Sequence, residues 1–166
     1  MNLPIGEVVS QGINLKEVDG RRLVETFYDK NFSGYLVSTI EGFDGLEEGI
    51  LLFKEGALAA AFYEYDFYGI TVFGDSAVPQ VFNSFAAKHV VADVVSLSNQ
   101  QVDLVTAFNE KGKVSKNFSK SDVSRLIPRA FSEEFARNTL SEVVKEKESK
   151  KDIFKKLGLG GLSGSD

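Results

Sequence analysis

Three apolar runs lie close together between Phe32 and Phe62, separated by two short turns. They read Tyr35-Leu36-Val37-Ser38-Thr39-Ile40, then Ile50-Leu51-Leu52-Phe53, then Ala57-Leu58-Ala59-Ala60-Ala61-Phe62. Runs of this length bounded by Gly and acidic residues predict a three-stranded antiparallel meander. Leu36 and Ile40 share the face expected to point inward. Ile50 to Phe53 is apolar on both faces, which suits a central strand covered on both sides. Lys54-Glu55-Gly56 predicts a short hairpin loop with Gly in the left-handed region. The alanines of the third run are poor strand formers, but their small side chains let a helix pack closely.

The rest of the chain is read around this meander. Val8 and Val9 fit a short edge strand. Asp19 is placed to cap a helix running to about Asp29, with Leu23, Val24, Phe27 and Tyr28 as its apolar stripe. Asp75 or Ser76 opens a second helix to about Lys88, with Pro79 in its first turn, where a missing N–H costs little. Val90 to Leu97 predicts a further strand. Ser98-Asn99-Gln100-Gln101 is a capping-box pattern opening a helix through Phe108, although Val102, Leu104, Thr106 and Phe108 also alternate as strand positions would.

Beyond Asn109 only helix signals remain. Asp122 to Ile127 stops before Pro128, and Ser132 caps a helix with Phe135, Thr139, Leu140, Val143 and Val144 on one side. Lys145 to Lys151 is a solvated charge run, and Asp152 to Leu157 is a short amphipathic helix stopped by Gly158. The pattern therefore predicts an α+β fold. An antiparallel sheet, the meander plus at least one further strand, packs against helices and precedes a helical C-terminal tail. The expected divisions are an α+β domain over 1–109, a polar linker over 110–120, a helical region over 121–157 and a flexible end over 158–166.

Composition narrows the chemistry. The 166 residues are 43% hydrophobic and 26% charged, as in an ordinary soluble domain. Fourteen Phe and no Trp point to a core filled largely by phenylalanine. With no Cys and one His, His89, thiolate chemistry, disulfides and multi-histidine metal sites are excluded. No signal peptide and no run of about 20 apolar residues is read, so a cytoplasmic protein without a membrane span is expected. The net charge of −5 is unevenly spread. Residues 1–109 hold 6 basic and 15 acidic side chains, and residues 110–165 hold 13 and 8. An acidic body disfavours nucleic acid as a partner and leaves open only a salt-sensitive contact by the basic tail.

No motif dictates a reaction, and no catalytic, cofactor or metal site is assigned. Glu41, Asp44, Glu47 and Glu48 cluster in one link, but their spacing does not match a calcium loop and suits solvated turn acids. The glycines make no phosphate cradle, since no Lys-Ser/Thr follows and no G-x-G-x-x-G opens a helix. His89 is expected at a helix end beside Lys88, where its protonated form suits the helix dipole. Two groups remain as candidate partner-binding residues. Tyr63, Tyr65 and Phe67 alternate with Phe62, Glu64 and Asp66, so one aromatic face can be exposed. Ile153, Phe154, Leu157 and Leu159 are apolar anchors beside Lys151, Lys155 and Lys156.

Phe32-Ser33-Gly34-Tyr35-Leu36, Gly49-Ile50-Leu51-Leu52-Phe53-Lys54-Glu55-Gly56, Ala59-Ala60-Ala61 and the helix from Asp75 to Lys88 form a recognisable series. It resembles the PatA amino-terminal (PATAN) domains of bacterial and archaeal signalling proteins over roughly residues 19–97. The whole chain, including Asp152 to Leu159, also looks like archaeal proteins of uncharacterised function. The PATAN resemblance implies a non-catalytic protein-interaction module in signalling or motility systems, whose partner is another protein or a second copy. The alternative is a small-molecule sensor or enzyme with a pocket between sheet and helices.

Overall fold

The computed structural model describes residues 3–158, apart from the side chains of residues 144, 146 and 147. Among these residues six strands form one antiparallel sheet: β1 (Glu7–Asn14), β2 (Gly34–Glu41), β3 (Leu46–Lys54), β4 (Ala57–Tyr65), β5 (Ile70–Phe73) and β6 (Val90–Ser96). Their spatial order is β1-β6-β2-β3-β4-β5. Five α-helices accompany them: α1 (Gly20–Asp29), α2 (Val78–Ser84), α3 (Asn99–Phe108), α4 (Lys120–Leu126) and α5 (Glu134–Lys156). The fold is α+β, with a helical C-terminal region.

The meander occupies the centre. β2 and β3 pair without interruption, with Leu36 opposite Leu51 and Gly34 opposite Phe53. β3 and β4 turn through two residues, Glu55 at φ 49° and Gly56 at φ 75°. Two successive left-handed residues make the turn whose twist matches the flanking strands. Gly56 is also required sterically, because a Cβ there would lie 2.9 Å from the Tyr28 carbonyl oxygen.

Helices cover both faces of the centre. On one face, α1 and α2 bury Leu36, Leu51 and Phe53. Asp19 caps α1 by accepting from the backbone N–H groups of Arg21 and Arg22. That helix delivers Phe27, which stacks on Phe32 with ring centroids 4.5 Å apart and meets Phe53 edge-on at 5.2 Å. Such ring pairs contribute about 0.5–1.5 kcal/mol each beyond burial. α2 approaches β3 so closely that a Cβ on Gly49 would lie 2.9 Å from Val81 Cγ1. The hydroxyls of Ser38 and Ser84 meet at 2.8 Å across the same interface. On the opposite face, Val102 and Val105 of α3 pack with Ile50, Leu52, Ala60, Phe62, Val95 and Leu97. Ser98 and Gln101 close the capping box of α3, so the segment is a helix and the strand alternative falls.

Several elements differ from the expectation. β1 is an eight-residue edge strand rather than a short one, pairing with β6 through two register shifts. β5 is an added strand: Gly69, at φ 61°, turns the chain back so that Phe73 pairs with Phe62. α2 is shorter than 75–88, because a 3₁₀ turn occupies Gly74–Ser76 and the chain leaves the helix after Ser84. His89 consequently stands exposed in a bend, away from any helix end. α5 is one helix of 23 residues, with the charge run of 145–151 inside it. Lys and Glu are good helix formers, and no Gly or Pro interrupts them before Gly158.

Residues 110–120 are tied to the sheet. Lys113 bridges Ala60, the Val114 N–H donates to the Ala59 carbonyl at 3.0 Å, and Asp75 accepts from the N–H groups of Ser115 and Lys116. α4 follows and packs on α1 and α2 with Val123 wholly buried. The chain divides into two compact units, Met1–Ser132 and Glu133–Asp166.

Candidate functional site

The end of the sheet nearest the β2–β3 link carries a buried polar network. Tyr63 and Tyr65 of β4 are each 2% exposed. Both stand on the face that pairs with Gly49 and Glu47 and lies under α2. The Tyr63 hydroxyl donates to Glu47 Oε2 at 2.5 Å, and the Phe43 N–H donates to Glu47 Oε1 at 2.7 Å. The Tyr65 hydroxyl donates to Gln80 Oε1 at 2.7 Å. Burial pushes the Tyr63 hydroxyl pKa far up, and the Glu47 carboxylate beside it adds to the shift. Glu47 thus fixes the link to β3 and the ring of Tyr63 together. Tyr63 and Tyr65 therefore form no surface patch with Phe67: the strand alternation is real, but α2 covers the face that the sequence left open.

Phe67 lies in a 3₁₀ turn, Asp66–Tyr68, and is exposed. Its ring meets Tyr68 edge-on at 5.1 Å. The Tyr68 hydroxyl donates to Asp44, and its pKa is raised to about 12, by desolvation first and then by that hydrogen bond. Beside this turn lies a hollow of about 280 Å³ lined by Thr39, Leu46, Glu47, Glu48, Glu64 and Asp66. Glu48 and Glu64 face each other across β3 and β4, where α3 no longer covers the sheet. Among the described residues no group of three or more His, Cys, Asp or Glu can hold a metal ion.

A second surface was not anticipated. The chain before β1 lies along α3: Gln101 Nε2 donates to the Ile5 carbonyl at 3.2 Å, and the Tyr35 hydroxyl donates to the Pro4 carbonyl at 3.3 Å. Between them is a hollow of about 300 Å³ lined by Leu3, Pro4, Gln101, Leu104, Val105, Phe108 and Asn109. Its lining is largely apolar and open, with Leu104 57% and Phe108 83% exposed. α3 is therefore apolar on two sides, Val102 and Val105 inward and Leu104 and Phe108 outward. The signal was present in the sequence as apolar positions that fitted a helix stripe and a strand alternation at once.

The last turns of α5 leave Ile153, Phe154 and Leu157 exposed. Leu159, the fourth residue of that candidate group, lies outside the described residues. Among the described residues no helix is long and apolar enough to cross a membrane. The two sheet faces are filled where helices cover them, with Leu36, Leu51, Leu52, Phe53, Val81 and Phe82 all without exposure. No buried side-chain nitrogen or oxygen among the described residues lacks a hydrogen-bond partner.

Comparison with curated proteins and with solved structures finds no match. Nothing in the comparisons supports the likeness to PATAN domains. Residues 1–109 match a family model described as "Uncharacterized protein conserved in archaea (DUF2226)", and the chain belongs to that family.

Proposed function

We propose that the protein is a non-catalytic interaction module that acts in the cytoplasm by binding another protein. The observation that carries this reading is the open apolar hollow lined by Leu3, Leu104 and Phe108. Grouped exposed apolar side chains mark contact surfaces, and a large aromatic beside a concavity is the usual energetic anchor. The alternative, a sensor or enzyme with a pocket between sheet and helices, is favoured less by layers filled with Leu36, Leu51, Phe53 and Phe82. Polar side chains of the interior are engaged in structural bonds, as with Tyr63 and Glu47 or Tyr65 and Gln80. A place in signalling rests on the PATAN resemblance of residues 19–97.

The test is parallel capture from native extract with the wild-type chain and with Phe108→Asp as baits. Phe108 is an outer helix position, so the substitution is expected to leave the melting temperature unchanged within about 0.5 kcal/mol of stability. A protein recovered by the wild type and lost with Phe108→Asp supports the reading. Identical recoveries on two equally folded baits overturn it.

A further inference from the structure

The last two turns of α5 show a stripe that solvent alone does not suit. At 100° per residue, Ile153, Phe154 and Leu157 fall on one side of the helix, with Lys151 beside Phe154 and Lys156 beside Ile153. The three apolar side chains are exposed and the stripe is bordered by cations. What covers such a face must be apolar in the middle and acidic at its margins.

One described surface of this protein has that chemistry. Leu46 and Phe67 are both more than half exposed, and Phe67 rests against the Gly45 turn, where a Cβ would lie 3.4 Å from its own Cβ. Next to them the hollow of about 280 Å³ is lined by Glu48, Glu64 and Asp66. We infer that the α5 end of one copy docks on the Leu46–Phe67 surface of a second copy, with Lys151 and Lys156 facing Glu48, Glu64 and Asp66. Leu157 and Phe154 cover Leu46 and Phe67. The acidic bias of residues 1–109 and the basic bias of 110–165 give the approach its direction.

The contact is head-to-tail, so each docked copy still offers one free end of each kind. Such contacts form rings when the rotation closes and open chains when it does not. A stripe of three apolar residues bordered by charge makes a small contact, so the association is weak and sensitive to salt. This inference rests on the interaction reading but uses a different surface from the Phe108 rim.

Complementation tests it. Ile153→Glu with Leu157→Glu removes the tail contact, and Glu48→Lys with Glu64→Lys removes the acceptor. The full-length wild type, read by light scattering at low salt, is expected to gain mass with concentration and to lose that gain at high salt. Each double variant alone is expected to stay monomeric. Mixed together they are expected to reach a heterodimer and no further, because only one good contact can form. Should the acceptor variant fail to fold by circular dichroism, the tail variant alone still decides, since its mass must then stay at one chain. A wild type that is monomeric at every concentration overturns the inference and leaves the Phe108 surface standing. So does an association that survives both sets of substitutions.

Discussion

Phe53 shows how a single residue was readable from its surroundings. Its run is apolar on both faces, and the residue is without exposure, held by Phe27, Tyr28 and Phe32. Phe53→Ala is expected to cost about 3–5 kcal/mol in urea unfolding, since three rings line the space left behind. A loss under about 1 kcal/mol would mean that those rings close over the gap. Tyr63 was misread for an instructive reason. Tyrosine suits surfaces and interiors alike, and what decides is whether its hydroxyl finds a partner inside. The partner is Glu47, 16 positions away in the chain, and nothing local announces it. Tyr63→Phe is expected to cost about 1–3 kcal/mol, because a buried carboxylate then loses its hydroxyl donor. The tyrosines also set a limit at high pH. Tyr28 is raised to about 12, mainly by burial, and Tyr35, Tyr63 and Tyr68 are raised too. Each hydroxyl is held above the ordinary tyrosine value of about 10, so the unfolded chain loses its protons first. Stability is therefore full below about pH 10 and falls as the pH rises towards 12. Thermal melts across that range check it, and Tyr28→Phe should lessen the slope.

At the scale of elements, legibility followed local pattern. α1, the meander and α3 were readable because caps, glycine turns and apolar spacing agree with one another. β1 was underestimated because its two register shifts break the alternation and Ser10, Gln11 and Gly12 carry no apolar signal. β5 was invisible because four residues, Ile70 to Phe73, are too few to show a period beside the aromatic run before them. Only pairing with β4 defines it, and pairing is not local. The hollow at Leu104 and Phe108 was hidden similarly: Leu3 and Phe108 line it together only once the N-terminal segment lies on α3. α5 illustrates the opposite case, in which propensity was enough but the charge run was read as a break. Its early turns bury Ala136 and Leu140, whereas residues 148–157 are exposed. Hydrogen exchange at high dilution is expected to be slow around Leu140 and to quicken towards Leu157, since exposed helix without packing is only marginally stable. Uniform protection to Leu157 in a monomer would show that something covers the last turns.

The whole molecule turns on where its body ends. The family match closes at residue 109, yet physical attachments run further. Asp75 accepts from the Ser115 hydroxyl and from the backbone N–H groups of Lys116 and Ser115, and those bonds, the hydroxyl's first, keep its carboxyl below the usual carboxylate range. The Tyr28 hydroxyl donates to the Phe118 carbonyl at 2.9 Å, and Lys120 pairs with Asp29 at 2.7 Å. Val123 is wholly buried, and the side-chain amide of Asn83 exchanges two hydrogen bonds of 2.9 Å with the backbone of Ser132. The ion pair is exposed and contributes little, about 0–1 kcal/mol. Burial of Val123 contributes more, about 1.5–3 kcal/mol, and the caps on Tyr28 and Asn83 prevent buried polar groups from standing alone. A chain ending at Ser132 is therefore expected to keep the sheet and α4 and to unfold cooperatively in urea. A chain ending at Lys113 keeps the sheet but loses α4 with its buried Val123, loses Ile127 and Pro128 from the hollow they line with Phe85, and leaves Asn83 without its backbone partners. It should unfold at clearly lower urea and bind a dye specific for exposed apolar surface. Equal midpoints for the two truncations would mean that α4 rests on the body without stabilising it, and that the family boundary at 109 is also the physical one.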